Sequence, residues 1–409
     1  MIESADLAAI REAVRVLCGD FPGEYWRRLD RERAYPRDFV AALTKAGFLA
    51  ALIPEEYGGS GLAMTAAAAI MEEIQHSGCN GAACHAQMYT MGTLLRHGSA
   101  EQKARYLPAI ARGDLRLQAF AVTEPTSGTD TLSLRTTARR EGDQYVVNGQ
   151  KIWTSRAEHS DLMLLVARTT PRSSPHPPPH AGDDSLTCPP PRAGEGRVGG
   201  SRTAGLSVFL VDMREVKGNG LTIHPIRTMM NHATTEIFFE DMRVPAENLI
   251  GVEGEGFRYL LSGMNAERIL IAAECIGDAK WFIDKAALYA RERVVFGRRI
   301  GQNQGVQFPI ARAYIGMRAA ELMVREAAAL YDTGKACGAE ANMAKHLAAE
   351  ASWAAADMCL QTHGGFGFAE EFDIERKFRE TRLYMVAPIS TNLILSYIGE
   401  HVLELPRSY

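Results

Sequence analysis

The sequence predicts an α+β chain in which a helical N-terminal part, a β-rich middle and a helical C-terminal part follow in that order. Three observations carry this reading. Apolar residues recur at helical spacing over residues 1–115. Strand-like runs of β-branched and aromatic residues fill 116–250. Long amphipathic helical patterns return over 251–409 and suggest a helical bundle.

In the N-terminal part, DFVAALTKAGFLAALIP carries apolar residues at helical spacing and stops at Pro54. Gly58, Gly59 and Gly61 break the chain behind it. AAAAIMEEI and EQKARYLPAIARG are two further helices. In the middle part, RTTARREGDQYVVNGQKIWTS is β-rich, and its Asn148–Gly149 pair suits a two-residue hairpin turn. LMLLVAR, LSVFLVD, LTIHPI and TEIFFEDMRV follow as strands. In the C-terminal part, Ile269, Ala272, Ala273, Ile276, Ile283, Ala287 and Ala290 share one helical face. Ala344, Leu347, Ala348, Ala351 and Met358 share another.

Residues 169–204 stand outside this scheme. They hold eight of the 18 prolines and almost no large apolar residue. Such a segment supplies neither strand nor core helix, so it reads as a disordered insertion in a loop between two strands.

Composition excludes several classes. With 409 residues, 46% hydrophobic, the chain can bury a large core. A net charge of −4 gives no field for nucleic acid or an anionic membrane. No run of about 18 apolar residues predicts a membrane span. The start MIESADLAAI has no basic n-region, which argues against a secretory signal. The seven cysteines are scattered without a C-x-x-C, as expected for reduced thiols in a cytoplasm. No histidine set has metal-binding spacing, so no metal is expected.

Two segments invite a chemical reading. In Phe120–Asp130 a strand runs into a hydroxyl-rich turn, which suits a flat polar ring as well as it suits an ordinary strand end. In Lys151–Ser155, Trp153 suits stacking on an aromatic cofactor or packing in a core.

Together with Arg291–Gly297, Gln304, Gln361–Gly367 and the region around Tyr384, these segments resemble the acyl-CoA dehydrogenase family. The resemblance runs in order along nearly the whole chain and spares only the insertion. It implies the family fold, with a barrel-like β domain and a C-terminal four-helix bundle. It implies FAD, an acyl-CoA substrate, reoxidation by an electron-transfer flavoprotein, and a homotetramer. By position, Val122, Thr123 and Thr129 line the flavin ring and the thioester site. Trp153 packs on the isoalloxazine, and Ser155 reaches its N5/O4 edge. Arg293, with Phe296 and Gln304, neutralises the FAD pyrophosphate. Arg293 and the loop of Gln361 and Gly365 act across a subunit boundary. Thr129 and Arg268 fall at substrate-binding positions. Physically, a diphosphate needs a fixed cation and open backbone amides.

The reaction needs a carboxylate to take the α-proton of the thioester and donors for its carbonyl oxygen. Many members of the family carry the base in the segment that here reads Tyr384–Asn392, where Pro388 occupies its position. A minority, including isovaleryl- and long-chain-specific members, carry it on an earlier helix, where Glu267 falls. The resemblance therefore implies Glu267 as the base. The plain alternative is a surface glutamate in the first turn of a helix, where the dipole favours it. Proline also lacks the N–H that relatives offer the thioester oxygen. That departure keeps open an oxygen-using oxidase or monooxygenase on the same fold, besides a non-enzymatic flavin-binding relative.

Overall fold

The computed structural model describes residues 5–170 and 205–407. The expected disordered insertion lies almost wholly outside them. The N-terminal part forms six helices: α1 (Ala5–Gly19), α2 (Gly23–Glu32), α3 (Arg37–Lys45), α4 (Met64–His76), α5 (Ala82–His97) and α6 (Ala100–Arg112). The helix expected to run to Pro54 ends at Lys45 instead. Gly47 takes φ 81°, which stops the α-helix, and a short 3₁₀ turn follows over Phe48–Ala50. Ser99 and Gln102 form a reciprocal capping box at the start of α6.

The middle part holds β1 (Leu117–Ala121), β2 (Thr137–Glu141), β3 (Gln144–Ser155), β4 (Leu162–Arg168) and β5 (Leu206–Asp212). A short helix α7 (Met213–Val216) precedes β6 (Leu221–Pro225), β7 (Thr234–Pro245) and β8 (Leu249–Ile250). The strands pair in the order β6-β7-β3-β2-β4-β5-β8, with β1 parallel to β4. Among the described residues β6 and β8 are the free ends, so the sheet stays open and does not close into a barrel. The hairpin turn is Gly142–Asp143, because Glu141 faces Gln144 across β2 and β3. Asn148–Gly149 instead lies inside β3, where the register with β7 shifts. Gly149 is needed there, since a Cβ would meet Thr136 at 2.6 Å.

The C-terminal part begins with α8 (Gly256–Glu292), roughly 55 Å long. A small hairpin of β9 (Val294–Val295) and β10 (Arg298–Arg299) turns the chain into α9 (Gln304–Asp332) and α10 (Gly338–His363). The shorter α11 (Ile374–Thr381) and α12 (Thr391–His401) complete it. The apolar faces read from the sequence are buried, except for Leu347, which is exposed, and Ala287, which is half-buried.

One apolar core joins α1–α4 to α8, α9 and α10, so the two helical parts share an interior. A second core packs α5 and α6 on one face of the sheet, and a third covers its other face. Helix α5 thus lies between bundle and sheet, and the candidate site gathers along it. No helix among the described residues is long and apolar enough to cross a membrane. The six cysteines among the described residues are free and buried.

Candidate active site

The turn after β1 is fixed by a buried ion pair. The Glu124 carboxylate accepts the backbone N–H of Arg135 at 2.7 Å and of Thr136 at 2.9 Å. It also accepts from Lys151 Nζ at 2.9 Å, while Lys151 donates to the Val122 carbonyl at 2.8 Å. Burial pushes the Lys151 ammonium down to about 8 even beside Glu124. Burial raises the Glu124 carboxyl, but Lys151 and the Thr136 and Arg135 donors outweigh it and hold it low. The Ile152 N–H donates to the Thr123 carbonyl at 2.9 Å. Val122 and Thr123 are therefore locked beside Trp153 and Ser155, and Thr129 lies exposed at the end of the same turn. Trp153 takes φ 63° and leaves 57% of its surface open. Exposed indole at a strained position is unusual for a core residue and suits stacking.

Glu267 sits three turns inside α8, so the first-turn alternative is excluded. Burial raises its carboxyl above the ordinary value; His85, Arg268 and Lys345 act against this. Glu267 in turn helps raise the hydroxyl of Tyr89, after burial, to a value far above an ordinary phenol. Arg268 donates Nη1 to Asn265 Oδ1 at 3.0 Å, and its buried Nε has no partner. The buried Lys345 donates to the Ile389 carbonyl at 3.0 Å, tying the segment that holds Pro388 to this wall. The Ala387–Pro388 bond is cis.

A polar network lies beneath. His85 Nδ1 meets Glu274 Oε1 at 2.9 Å, and Tyr384 donates to Glu274 Oε2 at 2.9 Å. Gln75 donates to the same oxygen at 3.2 Å and accepts from Lys377 at 2.7 Å. Lys377 also pairs with Asp278, both fully buried. His85, Tyr89, Lys345, Arg156 and the Glu124–Lys151 pair were not singled out by the sequence. Only Lys151 carried a signal, being a lysine within a strand that also holds apolar residues.

The remaining expected residues form a second set. Arg293 lies 5.6 Å from the Phe366 ring and forms no ion pair among the described residues. Gln304, Gln361 and Gly365 are exposed, as is Phe296, at 101%. A Cβ at Gly364 or Gly365 would meet nothing within 4 Å, so the backbone there is open. Among the described residues the two sets share no hydrogen bond, ion pair or ring contact. Their chemistry fits a flavin dinucleotide divided between them. One set offers an open aromatic face and hydroxyls, the other an uncompensated arginine and accessible amides.

Comparison with known proteins agrees along the whole chain. The acyl-CoA dehydrogenase N-terminal, middle and C-terminal domain profiles match residues 4–114, 119–184 and 254–403. Acyl-CoA dehydrogenase fadE12 of Mycobacterium bovis is 33% identical over 411 aligned residues, covering 100% of this chain and 98% of that protein. An acyl-CoA dehydrogenase of Bacillus subtilis is 32% identical, covering 88% and 87%. The solved glutaryl-coenzyme A dehydrogenase, in complex with glutaryl-CoA, superposes with a TM-score of 0.86 at 28% identity. It covers 100% of this chain and 98% of its own. The chain belongs to the acyl-CoA dehydrogenase family of oxidoreductases.

Proposed function

We propose that this protein oxidises an acyl-CoA thioester to the 2,3-enoyl-CoA, with Glu267 as the base that takes the α-proton. The observation that carries this is Glu267 itself, a half-buried carboxylate with a raised pKa on the inner face of α8. A carboxyl tuned upward is a stronger base for a weakly acidic C–H. FAD, when bound, supplies the hydride acceptor; Val122, Thr123, Thr129, Trp153 and Ser155 would hold its ring. Arg293, Phe296, Gln304, Gln361 and Gly365 would hold its diphosphate end.

Pro388 provides neither a base nor an N–H, so the thioester oxygen needs another donor. The unpartnered Nε of Arg268, one residue from Glu267, supports Arg268 in that role. Thr129 would stand on the opposite side of the substrate. Lys345 fixes the Ile389 carbonyl and keeps the proline segment against the site. Electrons would leave to an electron-transfer flavoprotein. A solved structure from the electron-transferring flavoprotein system of Acidaminococcus fermentans is similar to this chain, at a TM-score of 0.86, and supports that acceptor.

Assembly follows from the same reading. Phe308, Ile315 and Leu322 recur every seven residues along α9 and are all exposed. With Phe296 and Arg293 exposed as well, this face supports a homotetramer in which one copy completes the FAD site of its neighbour. The direct test of the proposed reaction is anaerobic mixing of the yellow holoenzyme with acyl-CoAs of varied length and branching. At least one should bleach the flavin and yield the enoyl product. A protein that gains no FAD on reconstitution, or that no acyl-CoA reduces, contradicts the proposal.

A further inference from the structure

Arg156 stands next to the proposed flavin site and has no part in the reaction proposed for it. It follows Ser155 at the end of β3, takes φ 60° and ψ 20°, and is only 6% exposed. The left-handed region favours glycine or asparagine, so an arginine there is held against its preference. Its guanidinium forms no ion pair among the described residues. Its side-chain contacts are Nη2 to His232 Nδ1 at 3.3 Å and Nε2 at 3.4 Å, both long for a hydrogen bond. Burial, Arg156 and His85 hold His232 well below the ordinary imidazole value, so it adds no positive charge of its own. A buried cation without an anion is costly unless a ligand supplies one.

Arg156 lines a cavity with Tyr35, Asn80, His232 and the first residues of α5, Ala82 and Ala83. The start of a 16-residue helix contributes partial positive charge there. Asp30 and Glu380 also line the cavity, each paired with an arginine, although the buried Oε2 of Glu380 has no hydrogen bond. Asp30 accepts from Arg379 at 2.7 and 3.2 Å, and Glu380 from Arg376 at 2.9 Å.

The cavity meets the start of α5 at Ala82 and Ala83, the helix that further along carries His85 and Tyr89. Ala82, His85 and Tyr89 are spaced three and seven residues apart and share one of its faces. Both Glu267 and Arg156 act electrostatically on Tyr89, so it lies within range of each. From Ala82 to Tyr89 the helix rises roughly 10 Å, a span for an acyl chain of medium length.

We propose that Arg156 and the N-terminus of α5 form a carboxylate subsite for the far end of the acyl chain, so that the substrate is the CoA thioester of a dicarboxylic acid. This inference rests on the acyl-CoA dehydrogenase reading of the Glu267 site.

The test uses holoenzyme and two readouts. Binding is measured by flavin absorbance changes on titration with 2-octenoyl-CoA and 2-octenedioyl-CoA, which are already oxidised. Turnover is measured with octanoyl-CoA and suberyl-CoA. Wild type should bind the diacid product about 30-fold more tightly than the monoacid and favour suberyl-CoA in kcat/KM. Arg156→Asn suits the left-handed backbone and should erase that ratio, whereas Arg156→Lys should keep part of it. A general folding defect lowers both substrates together and leaves the ratio standing. Equal binding of the two products by wild type, or an unchanged ratio in Arg156→Asn, overturns the subsite. So does free suberate competing as strongly as the diacid thioester. If the diacid product binds selectively but neither substrate reduces the flavin, the subsite stands and the dehydrogenase reading fails. If octanoyl-CoA bleaches the flavin while the diacids gain nothing, the reading stands and the subsite fails.

Discussion

At the scale of single residues, two carboxylates are pushed in opposite directions by their surroundings. Burial raises Glu267, while His85, Arg268 and Lys345 limit the rise and Tyr89 faces it. Because the base must be ionised, kcat/KM should fall on the acid side, with its midpoint above the ordinary value of 4.5. A pH profile of flavin reduction checks this; a midpoint at or below that value contradicts the environment described. Glu124 goes the other way, its folded pKa lowered by Lys151 and two backbone N–H groups after burial is overcome. Its stabilisation is complete above the unfolded carboxyl value and is lost as pH falls through the folded one. Lys151→Met strands that carboxylate and should cost about 3–5 kcal/mol in urea unfolding. Adding Glu124→Gln should return part of the loss. Little of this was legible in the sequence. Glu267 and Pro388 stood out only by position in a family pattern, while Arg156 and His85 owe their interest to partners far away in the chain.

At the scale of elements, local signals worked wherever they were complete. The run EQKARYLPAIARG became α6, which Ser99 and Gln102 cap, and the strand-like runs became β2 through β7. Gln102 also donates to the carbonyls of Glu247 and Leu249 at 2.7 and 2.9 Å, joining α6 to β8. Gln102→Ala should therefore lower stability by about 1–2 kcal/mol, more than a cap alone on an isolated helix. A thermal melt showing no change would mean these bonds are made equally well by water. The two misreadings have a common cause. Asn148–Gly149 is a good turn pair, yet tertiary pairing with β7 drew it into a long strand and used its glycine to let Thr136 approach. DFVAALTKAGFLAALIP keeps helical spacing across Gly47, where the backbone actually reverses. Spacing records which residues are buried, not whether one helix buries them all.

At the scale of the whole molecule, the order helical, β, helical was legible because each part has its own period. What the sequence did not show is that the two helical parts share one core and leave α5 between bundle and sheet. That arrangement brings residues some 180 positions apart, such as Tyr89 and Glu267, to one site. The exposed Phe296 and the stripe of Phe308, Ile315 and Leu322 predict that Ile315→Asp weakens assembly and releases FAD together. Light scattering and flavin absorbance on the same sample check this; a monomer that keeps its FAD contradicts it. The central claim is that this fold delivers one working base, Glu267. The most direct measurement is rapid-mixing flavin reduction under nitrogen by an acyl-CoA that reduces the wild type. Glu267→Gln, nearly isosteric, should keep its FAD and its oligomeric state, yet reduce its flavin about 10²–10⁴ times more slowly. Flavin reduction by Glu267→Gln at the wild-type rate would show that the proton goes to another group.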